Sequence, residues 1–212
     1  MPYMSDTVIC FDLDDTLYKE IDYLKSAYEE IAEKIGHLEA VPQMIGWYHE
    51  GKNVFAELIV KYRLKLTVND CITIYRNHYP TISLERGVVE FLVEAKKTGC
   101  IVGLITDGRS VSQRNKISAL GLKGIFDIEV ISEEFGSEKP DERNYRVVME
   151  RYLGCKRFIY VGDNPKKDFL APNHLGWETV CLMDNGSNIH QQDFGLTEEY
   201  LPKRMIHRIS EL

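Results

Sequence analysis

Three carboxylates stand within four positions directly after an apolar run near the start of the chain. The segment reads CFDLDDTL at residues 10–17 and places Asp12, Asp14 and Asp15 just beyond Phe11. Aspartate is disfavoured inside strands, and a charged cluster beside an apolar run costs free energy unless its charges are solvated or paired. Taken alone, the segment favours a strand that ends in solvent, because aspartate is common in turns.

Polar side chains follow other apolar runs of the chain in the same manner. They are Thr106 and Asp107 after residues 101–105, Lys139 beyond residues 126–131, and Asp163 and Asp168 after residues 158–161. In open α/β sheets, ligands bind beyond the carboxyl ends of the strands, near the point where the strand order reverses. If these runs are neighbouring parallel strands, their polar side chains therefore converge on one site.

The alternation of apolar runs with segments of helical spacing indicates the fold class. The runs predicted as buried parallel strands are residues 7–13, 101–106, 126–131, 158–161 and 179–182, with residues 205–206 as a candidate edge strand. Helically spaced apolar residues between them lead to Gly99, Gly121 and Gly154, where a helix would be capped. We predict an α/β protein with a Rossmann-like, mostly parallel sheet and right-handed crossovers.

Residues 20–80 break this alternation, because their apolar residues recur at helical spacing alone. One stripe runs from Ile21 to Ile35, a second from Val54 to Tyr62, and Thr67-x-x-Asp70 resembles a capping box that opens a third helix. We predict a small helical cap domain at residues 18–85, inserted after the first strand of a core made of residues 1–17 and 86–212. Residues 46–52, flanked by glycines, are predicted to form a loop that reaches toward the site.

Composition and charge narrow the classes of partner. The chain has 33 acidic and 26 basic residues, a net charge of −7 and no Lys/Arg run, which argues against nucleic acid as a partner. No apolar run approaches the roughly 20 residues that cross a bilayer, and no secretory signal is evident. Five scattered cysteines without a Cys-x-x-Cys pair favour reduced, buried thiols. We expect a cytoplasmic protein with no membrane partner, as a monomer or homodimer.

The acids themselves predict a cation. If the four carboxylates at positions 12, 14, 163 and 168 share one pocket, each close pair repels by about 4 kcal/mol at about 4 Å and an effective dielectric near 20. Such a cluster must take up protons or bind a cation. Carboxylate oxygens without His or Cys ligands suit Mg²⁺ better than Zn²⁺. Because Mg²⁺ also accepts a substrate phosphate oxygen, the set fits phosphoryl transfer.

The ordered set of these residues resembles a known superfamily. The matching segments are Asp12-x-Asp14-x-Thr16, Thr106, Lys139 and Gly162-Asp163-x4-Asp168. They resemble the four motifs of the haloacid dehalogenase-like hydrolases across the whole chain, and the helical insertion falls where that family carries a cap. The Gln113-x-x-Lys116 and Glu138–Asp141 stretches are similar to its phosphatase branch. The chain departs from the common pattern at Asp107, where many members have Asn.

The resemblance implies two different roles for the first two acids. Asp12 would be the nucleophile that forms an aspartyl-phosphate, and Asp14 would protonate the leaving group and then deprotonate the attacking water. Haloacid dehalogenases release halide, which needs no proton, and carry no acid at the second position. Asp14 therefore favours phosphate ester hydrolysis, while Asp15 is interpreted as a turn or capping residue.

The resemblance also implies the phosphate and metal ligands. Thr106 and the backbone amide of Asp107 would bind phosphate oxygens, and Lys139 would neutralise charge on the nucleophile and the phosphoryl group. The implied Mg²⁺ ligands are the Asp12 side chain, the Asp14 backbone carbonyl and Asp163, with Asp168 in support.

The expected function is a Mg²⁺-dependent phosphatase of a small phosphorylated metabolite, such as a sugar phosphate, because a covered pocket excludes large substrates. A phosphosugar mutase would use the same residues, so the sequence leaves it open. A receiver-like module that stores the phosphoryl group on Asp is a third alternative. Receiver domains lack a helical insertion after the first strand, however, and an acid at position 14 would defeat storage.

Overall fold

A parallel six-stranded sheet forms the centre of the computed structural model, which describes residues 6–212. The strands are β1 (Thr7–Phe11), β2 (Ile101–Thr106), β3 (Ile128–Ile131), β4 (Arg157–Gly162), β5 (Glu178–Leu182) and β6 (Arg204–Ile206). Their order is β3-β2-β1-β4-β5-β6, and every neighbouring pair is parallel. The predicted Rossmann-like α/β fold is thereby confirmed, including the short edge strand at residues 205–206.

Ten α-helices are found among the described residues. Those after the insertion are α5 (Val88–Lys97), α6 (Ser110–Ala119), α7 (Ser132–Phe135), α8 (Arg143–Arg151), α9 (Pro165–Asp168) and α10 (Leu170–His174). Those within it are α1 (Glu20–Lys34), α2 (Val41–His49), α3 (Val54–Tyr62) and α4 (Val68–Asn77). Within the described part of the chain, none of them is both long and apolar enough to span a bilayer.

Strand β1 is buried on both faces, which explains its unbroken apolar sequence. Ile9 and Phe11 belong to the hydrophobic cluster that includes residues of α5 and α6. Val8 and Cys10 belong to the cluster on the other face, with residues of α8 and α10. Because β1 lies between β2 and β4, the residues that follow it emerge at the point where the strand order reverses.

The helices of the insertion have a hydrophobic cluster of their own, built around buried residues such as Ile31, Met44 and Leu58. The capping box at Thr67 and Asp70 is present at the start of α4, as predicted. The division of the chain into a core and a cap at residues 18–85 stays a prediction.

The predicted loop at residues 46–52 is wrong in its first half. Residues 46–49 belong to helix α2, which begins with Pro42 in its first turn. Met44 and Trp47 lie three residues apart and pack into the cluster of the insertion, so burial of these side chains outweighs the poor helix propensity of Gly46. Lys52 pairs with Glu50 at the surface, with 2.7 Å between Nζ and Oε2.

Gly103 lets the two central strands pack closely. A Cβ atom at this position would lie 2.6 Å from the Cys10 Sγ atom and 3.0 Å from Ile128. We expect Gly103→Ala to lower the free energy of unfolding by about 1–3 kcal/mol, because an extra methyl group in a filled core forces its neighbours to move. Urea denaturation measures this change. Gly154→Ala is the matched control, because no heavy atom lies within 4 Å of its added Cβ; equal losses in both variants would contradict the prediction.

Candidate active site

A small cavity lies beyond the carboxyl ends of β1 and β4, and its volume is about 130 Å³. Six of the predicted site residues line it: Asp12, Asp14, Asp107, Lys139, Asp163 and Asp168. Thr106, the seventh, is buried at the end of β2, and its Oγ1 accepts a hydrogen bond from Gln113 Nε2 at 2.7 Å. The sheet order thus brings together residues that are more than 150 positions apart in the chain.

Lys139 is the central cation of the cavity. Its Nζ lies 2.9 Å from Asp12 Oδ1 and 2.8 Å from Asp168 Oδ1, and it donates to the Tyr160 hydroxyl at 3.1 Å. Burial alone would lower the pKa of Lys139, but the charges of Asp12 and Asp168 outweigh burial and raise the pKa well above its usual value. The ammonium group therefore stays charged beside the proposed nucleophile.

Asp168 is fully buried and both of its oxygens are occupied. Oδ2 accepts from the backbone amides of Asp163 and Asn164 at 3.0 and 2.8 Å, while Oδ1 faces Lys139 and Tyr160. A Cβ atom on Gly162 would lie 2.5 Å from Asp168 Oδ2, so only glycine lets the carboxylate fold back over the end of β4. Asp168 thereby orients the backbone of the turn that carries Asp163.

Three buried carboxylates lie close enough together to form a potential cation site. One oxygen from each of Asp12, Asp163 and Asp168 lies within 4.8 Å of the other two, although the Asp168 oxygens are already held by other donors. Burial, only partly offset by Lys139, raises the pKa of Asp12 to about 7, and burial together with the neighbouring acids raises that of Asp163 well above its usual value. The set needs protons or a cation, and its all-oxygen chemistry fits a hard divalent ion such as Mg²⁺.

Asp14 lies in a different environment from Asp12. Its carboxylate accepts from Lys116 Nζ at 2.7 Å, from Gln113 Nε2 at 3.0 Å and from the Tyr18 hydroxyl. Burial would raise the pKa of Asp14, but the charge and hydrogen bond of Lys116, helped by Tyr18 and Gln113, lower it overall. In this arrangement Asp14 is a charged carboxylate, the form that can accept a proton.

Asp15 occupies the left-handed region of backbone conformation, with φ of 54°. Its side chain accepts from the backbone amide of Glu20, the first residue of α1, at 3.0 Å, as a capping residue would. Its other oxygen accepts from the amide of Ile189 at 3.0 Å, in the loop after β5. The turn after β1 is thus bonded to a segment near the other end of the chain.

Several residues around the cavity are not among the predicted site residues. Tyr18, Gln113 and Lys116 surround Asp14, while Glu20 and His190 line the cavity. A signal existed for two of them: Gln113 and Lys116 share the face of α6 that carries buried Ile117 and Leu120, where polar side chains need buried partners. Burial and the charge of Asp14 raise the pKa of Glu20 to about 8.

A family model described as haloacid dehalogenase-like hydrolase matches residues 9–182. The chain belongs to this family. The resemblance predicted from the order of the motifs is thereby confirmed, and the matched span includes every predicted site residue.

Two relatives illustrate the similarity of this family member to known proteins. The chain is 30% identical over 200 residues to the glyceraldehyde 3-phosphate phosphatase of Methanocaldococcus jannaschii, a match that covers 82% of this chain and 84% of the relative. It is 38% identical over 93 residues to the phosphoserine phosphatase of Thermus thermophilus, covering 43% of this chain and 37% of the relative. Both relatives carry the name of a phosphatase.

A solved structure of the family agrees with the fold. YfnB of Bacillus subtilis, assigned to the HAD hydrolases and bound to magnesium in that crystal form, superimposes with a TM-score of 0.71. The match covers 97% of this chain and 96% of that one at 18% identity, so the likeness concerns the fold alone.

Lys116 and Asp14 form a largely buried ion pair in this hydrolase, with the Lys116 side chain 5% and the Asp14 side chain 18% exposed. We expect Lys116→Met to lower the free energy of unfolding by about 3 kcal/mol at pH 7.5, because Asp14 loses its counter-charge. At pH 5 the loss should be smaller, since removing Lys116 lets the pKa of Asp14 rise and a proton then neutralises the carboxylate.

Urea denaturation of both proteins at the two pH values measures this difference. Lys123→Met is the control, because Lys123 is exposed and lies outside the cavity. A loss in Lys116→Met that is no larger than in Lys123→Met would mean that the pair adds no net stability.

Proposed function

We propose that the protein is a Mg²⁺-dependent phosphatase that hydrolyses a small phosphorylated metabolite through a phosphoryl group carried on Asp12. The observation that carries this proposal is the buried arrangement of Asp12, Lys139 and two further acids at the switch point of the sheet. The family match and the relatives named as phosphatases support the reaction class.

In the first step, an oxygen of Asp12 attacks the phosphorus atom of the ester. A bond forms between that oxygen and phosphorus while the bond from phosphorus to the ester oxygen breaks. The leaving oxygen takes a proton from Asp14, which is charged in the substrate-free protein and therefore takes up this proton from solvent before the step. Lys139, 2.9 Å from the Asp12 carboxylate, holds the nucleophile in place and offsets the negative charge that accumulates in the transition state.

In the second step, Asp14 acts in its charged form. It takes a proton from a water molecule whose oxygen attacks the phosphorus, and the bond between Asp12 and phosphorus breaks. Inorganic phosphate leaves, Asp12 is restored as a carboxylate and Asp14 is again protonated. Lys116 keeps Asp14 in the charged form that this step needs, although lowering the pKa also makes the carboxylate a weaker base.

The phosphate oxygens need donors that are already in place. Thr106 Oγ1 accepts a hydrogen bond from Gln113 and therefore keeps its own hydroxyl proton for a phosphate oxygen. The Asp107 side chain accepts from the Lys139 backbone amide at 3.0 Å, which fixes the turn whose amide would bind the phosphate. These donors would stabilise the equatorial oxygens during transfer.

A phosphate dianion could not approach this set of acids without a counter-ion. The side chains of Asp12 and Asp163 and the backbone carbonyl of Asp14 would hold Mg²⁺, with Asp168 in support through the turn that it orients. When bound, Mg²⁺ would neutralise charge on the phosphoryl group and on the carboxylates.

The size of the cavity, about 130 Å³, favours a small substrate such as a sugar phosphate or a similar phosphomonoester. The relative named glyceraldehyde 3-phosphate phosphatase agrees with this size class. We propose that residues 18–85 act as a cap that covers the substrate and excludes water, as lids do in other enzymes.

The two proposed roles predict different behaviour of two variants toward p-nitrophenyl phosphate, whose leaving group needs no proton. Asp12→Asn should lose turnover by at least about 10³-fold, because the nucleophile is gone. Asp14→Asn should still release p-nitrophenol in a burst of about one equivalent, and then stall because no base activates water. Stopped-flow absorbance measures the burst, and mass spectrometry of a peptide containing Asp12 detects the phosphoryl group.

Unchanged, metal-dependent turnover by Asp12→Asn would rule out the proposed nucleophile. A wild-type protein that retains the phosphoryl group for hours would instead support a storage module. A screen of phosphorylated metabolites, with phosphate release and product analysis, identifies the substrate and separates hydrolysis from transfer within a sugar.

Protons and Mg²⁺ should compete for the acids of the cavity. Burial raises the pKa of Asp12 in the folded state to about 7, against about 3.9 in an unfolded chain, so the metal-free protein loses stability as the pH rises between these values. Bound Mg²⁺ removes this loss, so the increase in melting temperature on adding Mg²⁺ should be larger at pH 8 than at pH 6. Scanning calorimetry measures the melting temperatures with and without Mg²⁺. The proposed site would be contradicted if Mg²⁺ raised the melting temperature equally at pH 6 and pH 8, or if it raised that of Asp163→Asn as much as that of the wild type.

A further inference from the structure

The loop after β5, residues 184–192, is closed by its own hydrogen bonds. Asp184 Oδ1 accepts from three successive backbone amides at residues 186–188, at 2.8 to 3.0 Å. Gln192 Oε1 accepts from the Asp184 amide at 3.0 Å, and Gln192 Nε2 donates to the carbonyl oxygens of Leu182 and Asp163 at 2.8 and 2.7 Å. We call this segment the β5 loop; its position is fixed against the turn that carries Asp163.

Asn188 projects from the β5 loop to the acids. Its Nδ2 donates to Asp163 Oδ2 at 3.0 Å, and its Oδ1 accepts from Lys19 Nζ at 2.7 Å. Because an ammonium group can only donate, the atom of Asn188 that faces Lys19 must be the oxygen, and the NH₂ group must face the carboxylate. The buried Lys19 side chain therefore fixes the orientation in which Asn188 donates to Asp163.

The chemistry of this donor suits an acid that binds a cation. An amide holds a carboxylate oxygen in place without cancelling its charge, whereas a lysine at the same place would compete with the metal. Partners of metal ligands that orient the ligand in this way contribute strongly to metal affinity in other proteins.

We infer that Asn188 is a positioning residue for Asp163, which holds this carboxylate ready for a divalent cation; the inference rests on the function proposed above. The bond between the Ile189 amide and Asp15 Oδ2, at 3.0 Å, joins the same loop to the turn after the nucleophile. The β5 loop thus contacts both Asp163 and the turn that follows Asp12.

The test is Mg²⁺ binding to the substrate-free protein, measured by isothermal titration calorimetry. Asn188→Ala should raise the Kd for Mg²⁺ about 10- to 100-fold, the usual cost of losing such a partner. Asn188→Leu, which keeps the branched shape and the number of side-chain heavy atoms but has no donor, should do the same. Asn185→Ala, an exposed asparagine in the same loop, should bind Mg²⁺ as the wild type does.

Lys19→Met separates positioning from general support of the loop. It removes the contact on the far side of Asn188 but leaves the donor to Asp163, so its Kd should rise several-fold less than that of Asn188→Ala. Melting temperatures without Mg²⁺ report the structural cost of each variant independently. The positioning role is overturned if the Kd for Mg²⁺ rises in each variant in proportion to its loss of melting temperature, and if Lys19→Met raises the Kd as much as Asn188→Ala does.

Two outcomes of this titration separate the role of Asn188 from the proposed metal site. If the wild type binds Mg²⁺ and both Asn188 variants bind it equally well, the inference is overturned and the proposed metal site stands. If the wild type binds no Mg²⁺, the proposed metal site fails first, and the role of Asn188 fails with it.

Discussion

Mutual repulsion of buried carboxylates is the constraint on which the rest of this structure depends. Asp12, Asp163 and Asp168 lie within one small volume at the end of two central strands, and Lys139 offsets only part of their charge. A parallel sheet tolerates this because its strands are rigid, buried on both faces and joined to helices that cover them. This repulsion raises the free energy of the folded, metal-free protein, and a bound cation would lower it.

Each acid of the site has a different kind of partner. Asp168 accepts four hydrogen bonds and orients a turn, Asp163 accepts from a neutral amide, and Asp14 is paired with Lys116. These partners set the charge state and orientation of each carboxylate, so residues of one chemical type can serve different steps. The proposed division of work between Asp12 and Asp14 has its physical basis in this difference of surroundings.

Local patterns in the sequence predict the sheet and the convergence of the motif residues, because β1, β2 and β4 are short apolar runs with polar residues at their ends. The sequence does not predict helix α2, because Gly46 indicates a loop, although Met44 and Trp47 have helical spacing. The partners of the acids could not be predicted in the same way. Asn188 and Lys19 are 169 residues apart, and only the tertiary fold shows that a polar loop returns to the cavity.

The contact between the β5 loop and the turn after β1 also affects the order in which the site can be completed during synthesis. The segment that carries Asp12 is synthesised before Asn188, Ile189 and Gln192, which follow only after strands β1 to β5 have been made. Until then Asp163 lacks its amide donor and Asp15 lacks one of its two partners. A nascent chain could thus form much of its sheet while its acids are imperfectly held, which would delay tight cation binding until the β5 loop has been made.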